Sequence, residues 1–292
     1  MKLITYLQGP DPRPGLALSD TVGLDLLAAD PTLPDTWHAL FSEMDRIRRL
    51  HDDHLGKAGT GRPGLPLFDL TQVQLLAPVL LPSKVIGVGL NYRDHAAEQN
   101  RQPPEQPMFF GKAPSSLQCH DGPIGLTADL TQVDAEAELA VVIGKPARAV
   151  RREDAGEVIA GYMAFNDVSN REAQRRDKQF FRGKSLDTGG PCGPWIVTPD
   201  ELPAEAVGLR VRCLWNDVVM QDSNTDQLIF TPHALVEHAS RHMTLFPGDV
   251  IATGTPSGVG EFRRPPVFLK PGDVITVEIE KVGTLRNPVV RW

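Results

Sequence analysis

The sequence has little of what nucleic-acid-binding and membrane proteins require. Its formal net charge is −7, and no block of Lys and Arg is longer than a pair such as Arg151–Arg152, so a clustered basic surface is missing. No apolar stretch reaches the roughly 18 residues of a membrane-spanning helix. The start, MKLITYLQGP, lacks the apolar core of a signal peptide. We therefore predict a cytoplasmic protein with neither nucleic-acid nor membrane partners.

Cysteine is also scarce. The three cysteines, Cys119, Cys192 and Cys213, stand far apart and form no CxxC motif. This spacing argues against a disulfide framework and against a thiolate zinc site. A reducing compartment is the simplest setting for such a chain.

The 292 residues suffice for one large domain, or for a small domain and a medium one. Met1–Leu7 alternates and predicts a strand, whereas the apolar period of Thr36–Leu50 predicts a helix. The following HDDHLGKAGTGRPGLP is rich in glycine and proline and predicts a loop. His51 and His54 could be drawn as metal ligands, but a polar helix end that runs into a glycine-rich loop explains them better.

The most informative stretch is Asp134–Gly144, DAEAELAVVIG. Glu136 and Glu138 are two residues apart, so in a strand both carboxylates point to the same face. A hard divalent cation with oxygen ligands would stabilise such a pair, and a solvated edge strand is the alternative. The predicted strand Gly161–Asn166 ends at Asp167, which could supply a third carboxylate from a neighbouring strand.

A candidate general base follows the predicted strand Lys84–Val88. The sequence GVGLNYRDHAAEQN begins like a dinucleotide fingerprint, but Tyr92 stands where the third glycine is needed, so we reject that fold. In the short polar helix Asn91–Asn100, His95 and Glu98 share a face. A histidine oriented by a carboxylate is typical of a general base, and a capping histidine on a surface helix is the alternative.

Three further side chains could bind or polarise a substrate. Arg171 and Gln174 lie one turn apart on the predicted helix Ser169–Arg176, where they could grip carboxylate or carbonyl oxygens, or simply be exposed. Lys184 lies in a loop rich in glycine and proline and is either an electrophilic group or part of a surface turn.

The C-terminal part predicts a helix and a glycine-rich loop. The helix, Phe230–Phe246, contains His238 and His242 at a spacing that can bind zinc, but no HExxH motif is present and helix packing is preferred. The loop in FPGDVIATGTPSGVG is not a Walker A motif, yet its glycines would let backbone N–H groups and Thr255 approach an anionic group closely.

The same part predicts strands. Leu209–Trp215 and Val218–Asp222 alternate around Asn216–Asp217 and predict a hairpin with a two-residue turn. The closing LKPGDVITVEIEKVGTLRNPVV alternates in the manner of a β-barrel or β-roll.

Taken together, six ordered motifs resemble the fumarylacetoacetate hydrolase family: VGLNYRDHAAE, PMFFGKAPSSL, EAELAVVIGK, GYMAFNDVSNRE, GKSLDTGGPCGPW and FPGDVIATGTPSGVG. The resemblance covers about residues 82–288. It implies an α+β protein with a mixed β-roll or β-sandwich catalytic domain at 78–292, preceded by a small, variable N-terminal α+β domain at 1–77. It also implies a homodimer.

The resemblance further implies the make-up of the active site. Glu136, Glu138 and Asp167 would bind Mg²⁺ or Mn²⁺, and Ca²⁺ could take the site in crystals. His95 with Glu98 would activate a water and Lys184 would polarise the substrate. Arg171, Gln174 and Thr255 would hold the substrate oxygens.

These roles fit a hydrolase that cleaves the C–C bond of a 2,4-dioxo acid, such as an acylpyruvate or fumarylpyruvate, through a metal-stabilised enolate. The alternative is an isomerase (tautomerase) or decarboxylase of 2-oxo acids such as 2-hydroxyhepta-2,4-diene-1,7-dioate or oxaloacetate. The presence of both His95 and Glu98 favours hydrolysis modestly. A chain that has lost activity and serves as a structural subunit is disfavoured, because every charged position is present.

Overall fold

The computed structural model describes residues 1–57 and 64–292. Its strands are β1 Lys2–Gln8, β2 Asp11–Ala17, β3 Val22–Asp25, β4 Leu67–Asp69, β5 Val85–Gly89, β6 Met108–Lys112, β7 Leu117–Gln118, β8 Ile124–Leu126, β9 Val133–Asp134, β10 Ala137–Ile143, β11 Ile159–Asn166, β12 Ser169–Asn170, β13 Gly190–Val197, β14 Arg210–Trp215, β15 Val218–Asn224, β16 Val250–Ala252, β17 Val274–Ile279 and β18 Gly283–Arg291. The α-helices are α1 Leu26–Ala29, α2 Trp37–Leu40, α3 Met44–Leu55, α4 Arg93–Glu98, α5 Arg171–Asp177, α6 Phe181–Lys184 and α7 Pro232–His242.

Two sheets form the body of the protein. The large one has the order β4-β3-β2-β1-β13-β11-β10-β16-β5-β6, with β7 paired to β13. The second has five strands in the order β15-β14-β17-β18-β8, and β9 pairs with β12 in a short ribbon. This arrangement confirms the predicted α+β class with a mixed β-roll or β-sandwich.

Strand β10 lies at the centre of the large sheet and is buried along its whole length. Its odd-numbered residues from Leu139 onward pack with the five-stranded sheet, whereas Ala140 and Val142 pack with the helices of the leading residues. Period-two alternation thus gives each face its own core. Glu138 is an even-numbered residue like Ala140, so its side chain lies on the same face of the sheet. Further along the strand, the leading helices cover that face.

The leading residues continue the large sheet, because β1 pairs with β13 in antiparallel register. The helix predicted over Thr36–Leu50 is present but interrupted: α2 is followed by a 3₁₀ turn, Phe41–Glu43, and then by α3. Helix α3 runs on to Leu55, so the prediction that the loop begins at His51 is wrong. The later part of that predicted loop includes 58–63, which lie outside the described residues.

The hairpin prediction is confirmed. Strands β14 and β15 pair around Asn216 and Asp217, and both turn residues have positive φ, 50° and 65°. Positive φ at both central residues is the signature of a type I′ turn. The predicted helix Phe230–Phe246 is also present, as the shorter α7. None of the helices in 1–57 and 64–292 is both long enough and apolar enough to traverse a bilayer.

Candidate active site

Three acidic side chains meet where β10 and β11 pair. Ala137 lies opposite Asn166 in the antiparallel register, so Glu136 and Asp167 are the next pair beyond the ladder, joined by an Asp167 N–H bond to the Glu136 carbonyl of 2.9 Å. One carboxylate oxygen from each of Glu136, Glu138 and Asp167 lies within 4.8 Å of the others, and all three residues are buried. Sequence spacing thus identified a real cluster.

Buried cations hold two of these carboxylates. The Lys184 ammonium donates to Glu136 Oε2 at 2.6 Å and to Asp167 Oδ2 at 2.7 Å. Lys112 donates to Asp167 Oδ1 at 2.7 Å. Glu138 accepts a 2.8 Å bond from the Gly254 N–H but has no ion pair within the described part of the chain. Lys184 is therefore in the site, and not in a surface turn.

The pKa values of these carboxylates depend on whether each has a cationic partner. Burial works to raise the pKa of Glu136, but the charges of Lys184 and Arg171 outweigh burial and lower it to about 2. Burial, together with the neighbouring Asp167 and Glu136 carboxylates, raises the pKa of Glu138 well above its ordinary value. Glu138 is the carboxylate whose charge is left uncompensated.

These residues fit a divalent cation. Carboxylate oxygens are the ligands that Mg²⁺ and Mn²⁺ prefer. An ion at the cluster would compensate Glu138, the one member that lacks a basic partner. The oxygen donors, their mutual distance and their burial are those that a hard cation requires.

The histidine and the carboxylate that were predicted to form a general base, His95 and Glu98, both lie on α4. His95 Nδ1 lies 2.9 Å from Glu98 Oε2, and Glu98 Oε1 accepts a 2.9 Å bond from the Gly258 N–H. The other ring nitrogen, Nε2, lies 2.8 Å from Gln99 Nε2. His95 is buried, and its ring packs against Phe262 at a centroid distance of 5.8 Å. The Glu98 carboxylate fixes the ring through Nδ1, so Nε2, which contacts the neutral Gln99 amide, is the ring nitrogen that no carboxylate holds.

A cavity of about 350 Å³ joins the two groups. Seven of the nine residues predicted for the site line it, while the other two, Glu98 and Asp167, contact lining residues. The seven are His95, Glu136, Glu138, Arg171, Gln174, Lys184 and Thr255. Phe110 and Phe180 form an apolar wall, with ring centroids 5.5 Å apart.

The residues predicted to hold substrate oxygens have protein partners as well. Arg171 is buried and bonds Asp134 Oδ2 and Glu136 Oε1, each at 2.7 Å from Nη2. Its Nη1 donates to Gln174 Oε1 at 3.0 Å, which leaves the Gln174 amide N–H groups without a protein acceptor in the described chain. Thr255 Oγ1 donates to the Ala137 carbonyl at 3.0 Å and accepts from Gln221 at 2.8 Å.

Sequence reasoning assigned no role to Asp134 or Lys112. Asp134 accepts bonds from Arg171 and from the N–H groups of Gly260 and Glu261. The alternation of Asp134, Glu136 and Glu138 was the signal for it. Lys112 is fully buried, so it faces the site and not solvent, and burial lowers its pKa against the charge of Asp167. A lysine that ends a strand gave no comparable signal.

The two histidine pairs that the sequence predicts to be parts of helices have contacts of that kind. Within the described residues the acidic trio is the one group of three or more potential ligands. His51 pairs with Asp52 and His54 Nδ1 contacts the Leu50 carbonyl, both as parts of α3. On α7, His238 and His242 stack edge to face at 5.3 Å.

The glycine-rich loop after β16 does bring N–H groups to anions, but these anions belong to the protein. Gly254 donates to Glu138, Gly258 to Glu98 and Gly260 to Asp134, at 2.8–2.9 Å. One loop thereby fixes a metal-ligand candidate, the orienting carboxylate of the base and the partner of Arg171.

Comparison with known proteins gives a consistent result. The family model described as "Fumarylacetoacetate (FAA) hydrolase C-terminal" matches residues 84–290. A mitochondrial oxaloacetate tautomerase of Xenopus laevis is 40% identical over 99% of this chain and 90% of its own length.

Two solved structures are similar over the whole chain. One is titled 2-hydroxyhepta-2,4-diene-1,7-dioate isomerase, from Mycobacterium marinum, with 33% identity, a TM-score of 0.77 and coverage of 100% of this chain and 98% of that one. The other is titled fumarylacetoacetate hydrolase, from Exiguobacterium antarcticum, with 36% identity, a TM-score of 0.84 and full coverage of both chains.

Proposed function

Because the chain belongs to the fumarylacetoacetate hydrolase family, we propose that it is a divalent-metal-dependent isomerase that interconverts keto and enol forms of 2-oxo acids, with oxaloacetate or a 2-hydroxydienoate as the substrate type. The observation that carries the proposal is the shared cavity, which is lined by an oriented histidine and by two carboxylates of the buried cluster of three. The sequence alone favoured hydrolysis modestly. Because relatives are named as a tautomerase and an isomerase, isomerisation is now favoured over hydrolysis.

The reaction needs only proton transfer. His95 Nε2 takes a proton from the carbon next to the 2-oxo group, the electron pair of that C–H bond moves toward the oxygen, and the proton returns at oxygen or at a conjugated carbon. Glu98 keeps the ring in position and stabilises the imidazolium that forms. When bound, the divalent ion would supply Lewis-acid polarisation of the 2-oxo group. No water attack is required.

The remaining residues position the substrate and the carboxylates. An ammonium has three N–H donors, and Lys184 gives two of them to Glu136 and Asp167, so one is left for a substrate oxygen. Gln174 donates through its free amide group. Arg171 acts mainly by fixing Glu136, and Thr255, whose hydroxyl donates to the Ala137 carbonyl, helps to line the cavity.

Hydrolysis of a 2,4-dioxo acid is the second candidate. The His95–Glu98 pair could equally deprotonate a water, and the Exiguobacterium antarcticum structure is titled a hydrolase. The two functions differ in whether a C–C bond breaks and a free acid appears.

Other parts of the proposal come from the sequence and stay predictions. They are the choice of Mg²⁺ or Mn²⁺, the homodimer, the division into 1–77 and 78–292, and the cytoplasmic location. The Xenopus laevis relative is named as mitochondrial, so location is a separate question.

The test is a substrate panel with purified protein and Mg²⁺, Mn²⁺ or excess chelator. Oxaloacetate tautomerisation and dienoate isomerisation are followed by ultraviolet absorbance, and acylpyruvate cleavage and oxaloacetate decarboxylation by product analysis. We expect metal-dependent isomerisation, and a loss in His95→Ala on the order of 10²–10⁴-fold with metal binding retained. Metal-dependent cleavage without isomerisation would favour the hydrolase, and activity unaffected by chelator would reject the metal site.

A further inference from the structure

A second cavity adjoins the catalytic one. It has a volume of about 370 Å³ and is lined by Gly89, Leu90, Arg101, Gln102, Pro104 and Met108. Four of these residues, Gly89, Leu90, Arg101 and Met108, also line the catalytic cavity. The two cavities therefore adjoin along a shared lining, and Arg101 is part of it.

Arg101 differs from the other cations of this space. Lys184, Arg171 and Arg175 each form an ion pair with a carboxylate of the protein. Arg101 has no ion pair and no side-chain hydrogen bond to any residue of 1–57 or 64–292. It is also the only charged residue of the outer cavity, which has no acidic lining residue.

The end of α4 sets the position of Arg101. Asn100 adopts a left-handed conformation, with φ of 51°, directly after the helix. The Arg101 N–H then bonds the Ala96 carbonyl at 2.9 Å, and the Asn100 N–H bonds the Ala97 carbonyl at 3.0 Å. This is the pattern of a helix C-cap in which asparagine takes the place of glycine. Arg101 is thereby tied to the helix that carries His95, and not to an independent loop.

We infer that Arg101 is a specificity-determining residue that binds a second carboxylate at the far end of the substrate, so that the enzyme prefers 2-oxo diacids to 2-oxo monoacids. The inference rests on the proposed function, because the inner end of the substrate is placed at the acidic trio. An unpaired guanidinium can form two parallel hydrogen bonds with a carboxylate. The outer cavity, lined by Leu90, Pro104 and Met108, suits the carbon chain between the two acid groups.

The experiment compares matched ligand pairs on Mn²⁺-loaded protein by calorimetric titration. Each pair is a diacid and the monoacid of the same chain length: 2-oxopentanedioate with 2-oxopentanoate, 2-oxohexanedioate with 2-oxohexanoate, and 2-oxoheptanedioate with 2-oxoheptanoate. We expect the wild type to prefer the diacid in at least one pair by up to about fivefold, the size expected for one exposed ion pair. Arg101→Met should abolish this preference by weakening only the diacid, and Arg101→Lys should retain part of it.

The control is Arg49→Met, because Arg49 is also an exposed arginine without an ion pair but lies on α3, outside both cavities. It should leave all affinities unchanged. Equal weakening of diacid and monoacid in Arg101→Met, or an unchanged preference, would overturn the role of Arg101 and leave the proposed function standing. Failure of the wild type to bind any of the six acids would overturn this inference, whereas metal-dependent turnover in the substrate panel tests the proposed function separately.

Discussion

At the scale of single residues, the site is built from charges that nearly balance. Four buried carboxylates, Asp134, Glu136, Glu138 and Asp167, lie with three buried cations, Lys112, Arg171 and Lys184. Removing one member of a buried ion pair leaves its partner desolvated and uncompensated, which costs several kcal/mol in general. Glu138 is the exception, since it forms no ion pair with any cation of the described ranges. A substitution of Glu138 can therefore separate the contribution of the metal to the free energy of unfolding from the contribution of the protein's own contacts.

We predict that Glu138→Gln removes the stabilisation by metal without harming the metal-free protein. At a Mn²⁺ concentration of 100 times its dissociation constant, a bound ion adds about 2.7 kcal/mol, or roughly 5 °C in Tm for a chain of this size. The variant should lose most of this shift. Thermal unfolding with Mn²⁺ and with chelator measures it.

The direction of the pH effect follows from the raised pKa of Glu138. Above the ordinary value of 4.5 the unfolded chain releases this proton while the fold retains it, so the metal-free stability falls as pH rises. Glu138→Gln should flatten that fall. The control is Glu157→Gln, at an exposed glutamate on another surface.

If Mn²⁺ raised the Tm of Glu138→Gln as much as that of the wild type, Glu138 would not be a metal ligand.

At the scale of elements, the loop after β16 has the largest influence on the site. Its N–H groups reach Glu138, Glu98 and Asp134, so a change of loop conformation would disturb the base and the metal ligands together. Gly258 has a φ of 102°, and a Cβ there would lie 2.2 Å from the Met220 carbonyl oxygen. Only glycine fits this position without backbone movement.

We predict that Gly258→Ala destabilises the protein by on the order of 2–3 kcal/mol and lowers kcat by roughly tenfold or more, because the Cβ clash displaces the backbone N–H that donates to Glu98. The matched control is Gly272→Ala. Gly272 has a φ of 99°, but a Cβ there would meet nothing within 4 Å. It should lose about 1 kcal/mol through strain alone and keep its activity. Equal activity losses in the two variants would show that the Gly258 contact does not support the base.

At the scale of the whole molecule, the leading residues and the catalytic strands share one core. Ile47 of α3 and Val142 of β10 belong to the same hydrophobic cluster, and β1 extends the large sheet through β13. The predicted division at residue 77 therefore separates stretches of sequence that bury their apolar surface against each other. Cooperative unfolding follows from such an arrangement.

We predict a single calorimetric unfolding transition, which Ile47→Ala and Val142→Ala both move to lower temperature. Ile47→Ala should cost on the order of 2–5 kcal/mol, as for other buried aliphatic truncations. Val218→Ala, at a side chain that is 63% exposed, should leave the transition in place. Two resolved transitions, with only one shifted by Ile47→Ala, would instead establish 1–77 as an independent unit.

Local chemistry in the sequence determined a good deal of this protein. The two-residue hairpin turn, the apolar helix before residue 50 and the carboxylate pair of β10 all follow from spacings of a few residues, which secondary structure converts directly into geometry. The same holds for His95 and Glu98, since one helical turn brings them together. The ordered motifs extended these short-range signals to the family and to the nine predicted site residues.

Only the tertiary structure decided which groups compensate one another. Lys112 reaches Asp167 from 55 positions away and Arg171 reaches Asp134 from 37, through strand pairing that no local pattern encodes. The same holds for the Gly258 N–H, which binds Glu98 from 160 positions away. Burial gives these contacts their strength, and burial is a property of the assembled sheets. For this reason the sequence could place the acidic trio, but the fold alone revealed that, among residues 1–57 and 64–292, Glu138 has no ion pair with a cation and Arg101 has none with a carboxylate.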